Sequence, residues 1–392
     1  MTYLLRLVAC LFVLLSFSAV AVDTDGDGFY DESEVSFGTD PYDYQQSPFR
    51  QTIFSSDLNR FGSDVAIYNN TAVISGKGQN PLVDSPAVYI FTKVNDMWQF
   101  KQKIQPIFDP NSNFGFSVDI DEKTIVIGDP NSNKIYIYEE NVFSTWQLDA
   151  EIKFSGTYDA DFGKDVQVSG PLIAVGAPIY RGGLFGQEQG AVFIYLNDSV
   201  GWLEEALIQS SDKTQGDNFG RSLSLDGNRL AVGAPNSSIY GASYVFSRVS
   251  GAWSEVKKLM PNDENPLVSR PYSFGWSVIL DDKDLFVGAP QIQNSVVLGK
   301  GYVYHYEQLV NLWPFNQKLV NTGDGIYGFS IALEDGILII GLSNQKYDIF
   351  KKDSTQWELA NQITTDDTTF NFPKPISIST DQDVVISSTN AN

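Results

Sequence analysis

One short signature governs what this chain can fold into: an aromatic residue followed by glycine, returning at regular intervals. It stands at Phe61-Gly62, Phe114-Gly115, Phe162-Gly163, Phe219-Gly220, Phe274-Gly275 and Tyr327-Gly328, and a degenerate seventh copy begins at Phe370-Asn371. The intervals run from 43 to 57 residues. A repeat of that length is one supersecondary unit that cannot bury its apolar face alone and must stack on its neighbours. Every unit follows the same course. A short alternating segment (Ser117-Val118-Asp119-Ile120) leads to an apolar segment ending in glycine (Ala174-Val175-Gly176). A third segment is aromatic and β-branched (Ala191-Val192-Phe193-Ile194-Tyr195), and a fourth begins with tryptophan. Six of the seven tryptophans (Trp98, Trp146, Trp202, Trp253, Trp313 and Trp357) share that one repeat position, which marks them as packing residues between units.

The segments are strand-length, with period-2 alternation. Four strands per unit of this length is the cadence of a propeller blade. The prediction is therefore an all-β chain, a seven-bladed β-propeller of four-stranded antiparallel blades over residues 47–392. Its blades start near 61, 114, 162, 219, 274, 327 and 370. The repeated glycine is expected where backbones approach closely near the central axis. Phe49-Arg50-Gln51-Thr52-Ile53 reads as a fourth strand without its three predecessors. The last unit offers only Ile376–Ser379 and Val384–Ser387, so an N-terminal strand completing it would leave no open sheet edge.

The FG start and the VGAP centre (Ala174–Pro178, Ala231–Pro235, Phe286–Pro290) resemble FG-GAP repeats, as in the integrin alpha-subunit propeller and many exported bacterial proteins. The resemblance implies calcium loops of the form D-x-D/N-x-D-G-x-x-D between first and second strands. The matching places are Asp121-Glu122-Lys123, Asp226-Gly227-Asn228, Asp281-Asp282-Lys283 and Glu334-Asp335-Gly336. Each is a short hairpin turn without the length for a nine-residue loop, so no propeller calcium site is expected there.

Calcium is expected elsewhere. Residues 1–21 read as a signal peptide: Arg6, then the apolar run Leu7–Phe17, then Ala19-Val20-Ala21 as the cleavage site. A lipobox reading of Leu7-Val8-Ala9-Cys10 competes with it, but almost no apolar segment precedes the cysteine. Past the cleavage site, Asp23-Thr24-Asp25-Gly26-Asp27-Gly28-Phe29-Tyr30-Asp31-Glu32-Ser33-Glu34 fits D-x-D-x-D-G-x5-E throughout. Calcium wants six to eight hard oxygens. Asp23, Asp25, Asp27, the Phe29 carbonyl, Asp31 and Glu34 supply them at the required offsets. With Gly38-Thr39-Asp40-Pro41 following, residues 22–46 resemble a single thrombospondin type-3 repeat, which implies Ca2+ as the cofactor.

Composition narrows the function. A net charge of −22 repels nucleic acid, so no nucleic-acid partner is expected. The one cysteine lies in the leader and the one histidine is His305, which removes disulfides, cysteine nucleophiles and His- or Cys-based zinc sites from the mature chain. His305, in Tyr302-Val303-Tyr304-His305-Tyr306, reads as a strand histidine rather than a general base. With no nucleophile elbow or phosphate loop, no catalytic residue is assigned. After the leader no apolar run is long enough to span a membrane. The expectation is a secreted or cell-surface, monomeric, non-enzymatic protein for recognition or adhesion, with an extracellular protein or polysaccharide as partner; a periplasmic location stays open. The longest connections fall on one face of the propeller, and Tyr180, Arg181 and Phe185 are the partner-binding candidates there. Two alternatives stay open: a polysaccharide-active enzyme using carboxylates or a Tyr/Arg pair, and a purely structural envelope protein.

Overall fold

The computed structural model describes residues 61–386 apart from 77–84, 96, 108, 110, 183–185, 239, 262–272, 294–295, 298–299, 311, 322, 324, 344–345, 354, 365–375 and 379–383. All of them belong to the compact unit Phe54–Asn392. Blade 1 runs Val65–Tyr68, Thr71–Gly76, Ala87–Val94 and Met97–Ile104; blade 2 runs Val118–Asp121, Thr124–Asp129, Lys134–Glu140 and Trp146–Lys153. Blade 3 comprises Val166–Ser169, Leu172–Ala177, Ala191–Asp198 and Gly201–Ile208, and blade 4 Ser222–Asp226, Arg229–Ala234, Ala242–Val249 and Ala252–Leu259. Blade 5 is Val278–Asp281, Asp284–Ala289, Tyr302–Glu307 and Phe315–Val320; blade 6 is Ser330–Glu334, Ile337–Gly341, Lys346–Asp353 and Gln356–Thr364. In each, the four strands pair antiparallel in sequence order.

The strand types follow from their surroundings. Second strands are covered on both faces and read as unbroken apolar runs, as in the fully buried Leu172–Ala177. Fourth strands form the outer rim and alternate, as in Trp146–Lys153. The third-to-fourth pairing slips register at one equivalent place in every blade, between Ile90/Phe91, Ile137/Tyr138, Ile194/Tyr195, Val245/Phe246, His305/Tyr306 and Ile349/Phe350. An irregularity of this kind sharpens local twist.

Six four-stranded blades are present among the described residues, not the expected seven. Among the described residues the unit after blade 6 contributes the paired strands Ile376–Ile378 and Val384–Ile386. The first of these lies between the innermost strands of blades 6 and 1 and accepts the Ile67 N–H on Ser377 Oγ at 3.2 Å. The physical reason is in the composition of that unit. Its glycine-ended centre has decayed to Ile386-Ser387-Ser388, without the glycine that the full blades carry there. The proposed completing strand Phe49–Ile53 lies outside the described residues.

The repeat glycines interlock successive blades. A Cβ on Gly176, in the VGAP centre of blade 3, would stand 2.1 Å from the carbonyl oxygen of Gly220, the repeat glycine of blade 4. Gly220 itself has φ +90 and would meet the Ala191 carbonyl at 2.5 Å. No side chain fits at either position. The same contact recurs for Gly128 with Gly163, Gly233 with Gly275 and Gly288 with Gly328.

Side chains fill the rest of each junction. Phe114, Val118 and Trp146 of blade 2 pack with Val73, Val88 and Ile90 of blade 1. Trp357 of blade 6 packs with Phe286, Val303 and Leu319 of blade 5. Trp202, Trp253 and Trp313 sit in the equivalent junctions, so the tryptophan position is indeed structural.

Candidate functional site

The first strand of each blade is the innermost one, and successive first strands line the central channel. Each therefore has one edge without a strand partner, and its N–H groups need acceptors. Side chains of the preceding blade supply them. Asp64 Oδ2 accepts from Val118 N at 2.8 Å, Asp119 Oδ2 from Val168 N at 2.7 Å, Asp121 Oδ2 from Gly170 N at 2.6 Å and Asp165 Oδ2 from Leu223 N at 2.8 Å. Ser117 Oγ accepts from Val166 N at 3.2 Å, Ser169 Oγ from Gly227 N at 3.0 Å and Ser224 Oγ from Leu280 N at 2.9 Å. Two further hydroxyls donate across junctions, Ser222 to Gly275 O and Ser277 to Gly328 O, both at 2.9 Å.

Three of these carboxyls are held far above the ordinary range. Burial pushes Asp64 up to about 7, with the Asp165 charge adding to it against the bond from Val118. Burial likewise takes Asp119 to about 8 and Asp165 to about 6. The channel end formed by the first-to-second hairpins is also acidic. Glu334 is pushed to about 7 by burial and by Asp281, Asp335 and Asp226; Asp281 is raised by burial and by the charges around it. The hairpins are the tight turns expected, with positive φ at Glu122, Asp282 and Asp335. Among the described residues no group of three or more His, Cys, Asp or Glu side chains is placed to hold a metal ion.

The second-to-third connections of blades 3 and 5 fold into two-residue ribbons, Arg181–Gly182 with Gln187–Glu188 and Ile292–Gln293 with Val296–Val297. In the first, Arg181 Nη2 pairs with Glu188 Oε1 at 2.9 Å, and the two side chains are 46% and 42% exposed. The Arg181 guanidinium lies 5.8 Å over the Tyr158 ring. Tyr158 Oη donates to Arg181 O at 2.8 Å and accepts from Arg181 N at 3.2 Å, fixing the base of the ribbon. Tyr180 is half-buried rather than exposed, its ring packed on Phe154 and Phe193 at 6.0 and 5.7 Å. Arg181 is thus the presented side chain and Tyr180 its anchor. Phe185 lies outside the described residues, as do Asp23, Asp25, Asp27, Phe29, Asp31 and Glu34.

His305 is fully buried. Its Nε2 lies 2.7 Å from Asp284 Oδ1, and its ring stacks on Phe286 at 4.5 Å. Asp284 also accepts from Lys352 Nζ at 2.9 and 2.8 Å. Burial would raise the Asp284 carboxyl, but the bonds from His305 and Lys352 carry it below its usual value. The cluster ties blade 5 to blade 6.

Sequence reasoning missed the channel carboxylates. The signal for Asp64 and Asp165 was the second residue after each repeat glycine: Asp64, Ser117, Asp165, Ser222, Ser277 and Ser330, always a short oxygen-bearing side chain.

Residues 202–246 match the FG-GAP repeat family. Among solved structures, a protein from Lactobacillus plantarum superposes with a TM-score of 0.55 at 12% identity, over 78% of this chain and 85% of that one. Saccharomyces cerevisiae Sqt1 does so with a TM-score of 0.51 at 10% identity, over 84% and 80%. No curated protein matches the sequence. Among the described residues no helix is long and apolar enough to cross a membrane.

Proposed function

We propose that this FG-GAP-repeat β-propeller works as an exported, calcium-binding recognition or adhesion protein that carries out no catalysis. The observation that carries the reading is the blade 3 ribbon. Arg181 is held out from the scaffold, with its backbone fixed by Tyr158 and its charge countered by Glu188. Binding groups on loops held by a rigid scaffold are the usual arrangement for recognition. A guanidinium over an aromatic face suits acidic or hydroxyl-rich groups on an extracellular protein or a polysaccharide.

Calcium enters through the N-terminal segment, supported by the spacing of Asp23, Asp25, Asp27, Phe29, Asp31 and Glu34 and by the resemblance of residues 22–46 to a thrombospondin type-3 repeat. Export is supported by the leader at residues 1–21 and by the kind of repeat.

Two experiments test the reading. Screening residues 22–392 against glycan and extracellular-protein arrays should give saturable binding that Arg181→Ala weakens; turnover of a polysaccharide, abolished by Tyr180→Phe, would replace recognition with catalysis. Calcium calorimetry should find one site in residues 22–392 and none in a chain starting at Ser47. Binding retained in the shorter chain would move the ion to the propeller.

A further inference from the structure

At the channel end where the innermost strands begin, the residue after each repeat glycine comes to the mouth. In blades 2 to 6 these are Phe116, Lys164, Arg221, Trp276 and Phe329, all half-buried. Neighbours in this arc touch. Lys164 Nζ lies 4.6 Å over the Phe116 ring, the Arg221 guanidinium lies 4.5 Å over Trp276, and Trp276 meets Phe329 edge-to-face at 5.7 Å. Two cations on adjacent blades are therefore flanked by aromatic faces on both sides.

Hydrogen-bond accounting shows what this arc lacks. Lys164 Nζ has Asp161 Oδ2 at 3.1 Å. Among the described residues the Arg221 guanidinium has its stack on Trp276, and only distant attraction from Asp165 and Asp161. Among the described residues no ion pair joins it to Asp165, whose oxygens accept from Leu223 N and Ser117 Oγ. A guanidinium over a ring keeps its five donors in plane, in the fork that matches a carboxylate. The arc thus offers the Arg221 donors beside apolar faces, next to an ammonium that shares its charge with Asp161. The rest of the channel is acidic and the chain carries −22, which excludes a polyanion.

We propose that this mouth binds a compact monoanion, a carboxylate borne on a six-membered ring, with the carboxylate on Arg221 and Lys164 and the ring face against Trp276 or Phe329. A uronic acid and an aromatic acid share that chemistry. The proposal deepens the recognition reading by giving one part of the same face a ligand class, and its test separates the two.

Calorimetry on residues 22–392 would use glucuronate and benzoate as probes, with glucose and benzyl alcohol as their neutral counterparts. At least one acid should bind saturably and its neutral counterpart should not; which acid binds decides between sugar and aromatic source. Arg221→Gln should weaken that binding about tenfold, as expected for loss of a charge-assisted pair, with Lys153→Gln on the exposed outer strand of blade 2 leaving it unchanged. If Arg221→Gln does not fold, Lys164→Gln carries the same expectation. Absence of binding by both acids, equal binding of the neutral compounds, or undiminished binding in the folded variant overturns the channel site. Ligand binding lost only in Arg181→Ala overturns it too while sustaining the blade 3 ribbon. Acid binding at the channel with no array ligand for Arg181 sustains the channel site and overturns the ribbon.

Discussion

Two halves of the channel do the same job with different chemistry. From blade 1 to the start of blade 4, carboxylates dominate the fastening of each innermost strand to the next: Asp64, Asp119, Asp121 and Asp165, helped by Ser117. From blade 4 onward it is hydroxyls: Ser222, Ser224 and Ser277. Both satisfy backbone polar groups across a blade junction, N–H groups in the first half and one N–H and two carbonyls in the second. The carboxylate half gains a stronger acceptor but crowds charges that resist being ionised together. The hydroxyl fastenings themselves do not titrate. Geometry is therefore common to the whole circle, and titratable fastenings belong to one side of it.

The largest expected effect tests the common part. Gly163→Ala in the carboxylate half and Gly275→Ala in the hydroxyl half should each cost about 3 kcal/mol or more, because positive φ and backbone clash act together. Urea denaturation should find the two losses similar; a large difference would mean that the halves are not mechanically equivalent. Next comes Asp165→Ala, which strips the acceptor from Leu223 N and should cost about 2 kcal/mol. Ser224→Ala, which does the same to Leu280 N, should cost about 1 kcal/mol. If the serine proves the costlier of the two, the charge assistance assigned to the carboxylates is wrong.

The least direct effect, read as a slope rather than as a single loss, is the pH dependence. The unfolded reference for these acids is 3.8, and folding raises them to about 7, 8 and 6 for Asp64, Asp119 and Asp165. The folded state thus holds protons more tightly than the unfolded one. Their stabilising contribution is complete below 3.8 and is lost as pH rises through the 6–8 range. Melting temperature should fall between pH 5 and pH 8, and Asp119→Asn should flatten that slope while keeping an oxygen for Val168 N. Asp212 and Asp284 are lowered on folding, so their opposite contribution falls below pH 4, whereas Glu334 and Asp217, raised to about 7 and about 6, add to the same fall. A flat profile in the parent chain would dissolve the electrostatic distinction between the halves.

Much of this was legible in the residues. The FG pairs, the glycine-ended second strands and the tryptophan position point to the blade and its four strands, because each marks a place where packing tolerates one solution. Blade number was not legible, since counting FG-like starts credits Phe370-Asn371 with a full unit. That unit's centre lacks the glycine of the others, ending Ile386-Ser387-Ser388. Arg181 is visible as a loop residue, whereas Tyr180 reads from sequence as exposed and is not: a lone tyrosine beside glycines gives no hint that Phe154 and Phe193 wait beneath it. The collar of Phe116, Lys164, Arg221, Trp276 and Phe329 was invisible because one position holds two kinds of side chain, and only the closing of the circle makes neighbours of them.

The fit between Gly176 and Gly220, repeated around the circle, has a consequence for descent. The blades are keyed to one another by main chain against main chain, at positions defined by what does not project. Such a joint places almost no demand on the identity of the surrounding side chains. Propellers of this kind can therefore drift until nearly every residue differs and still close into the same wheel, provided the empty places stay empty.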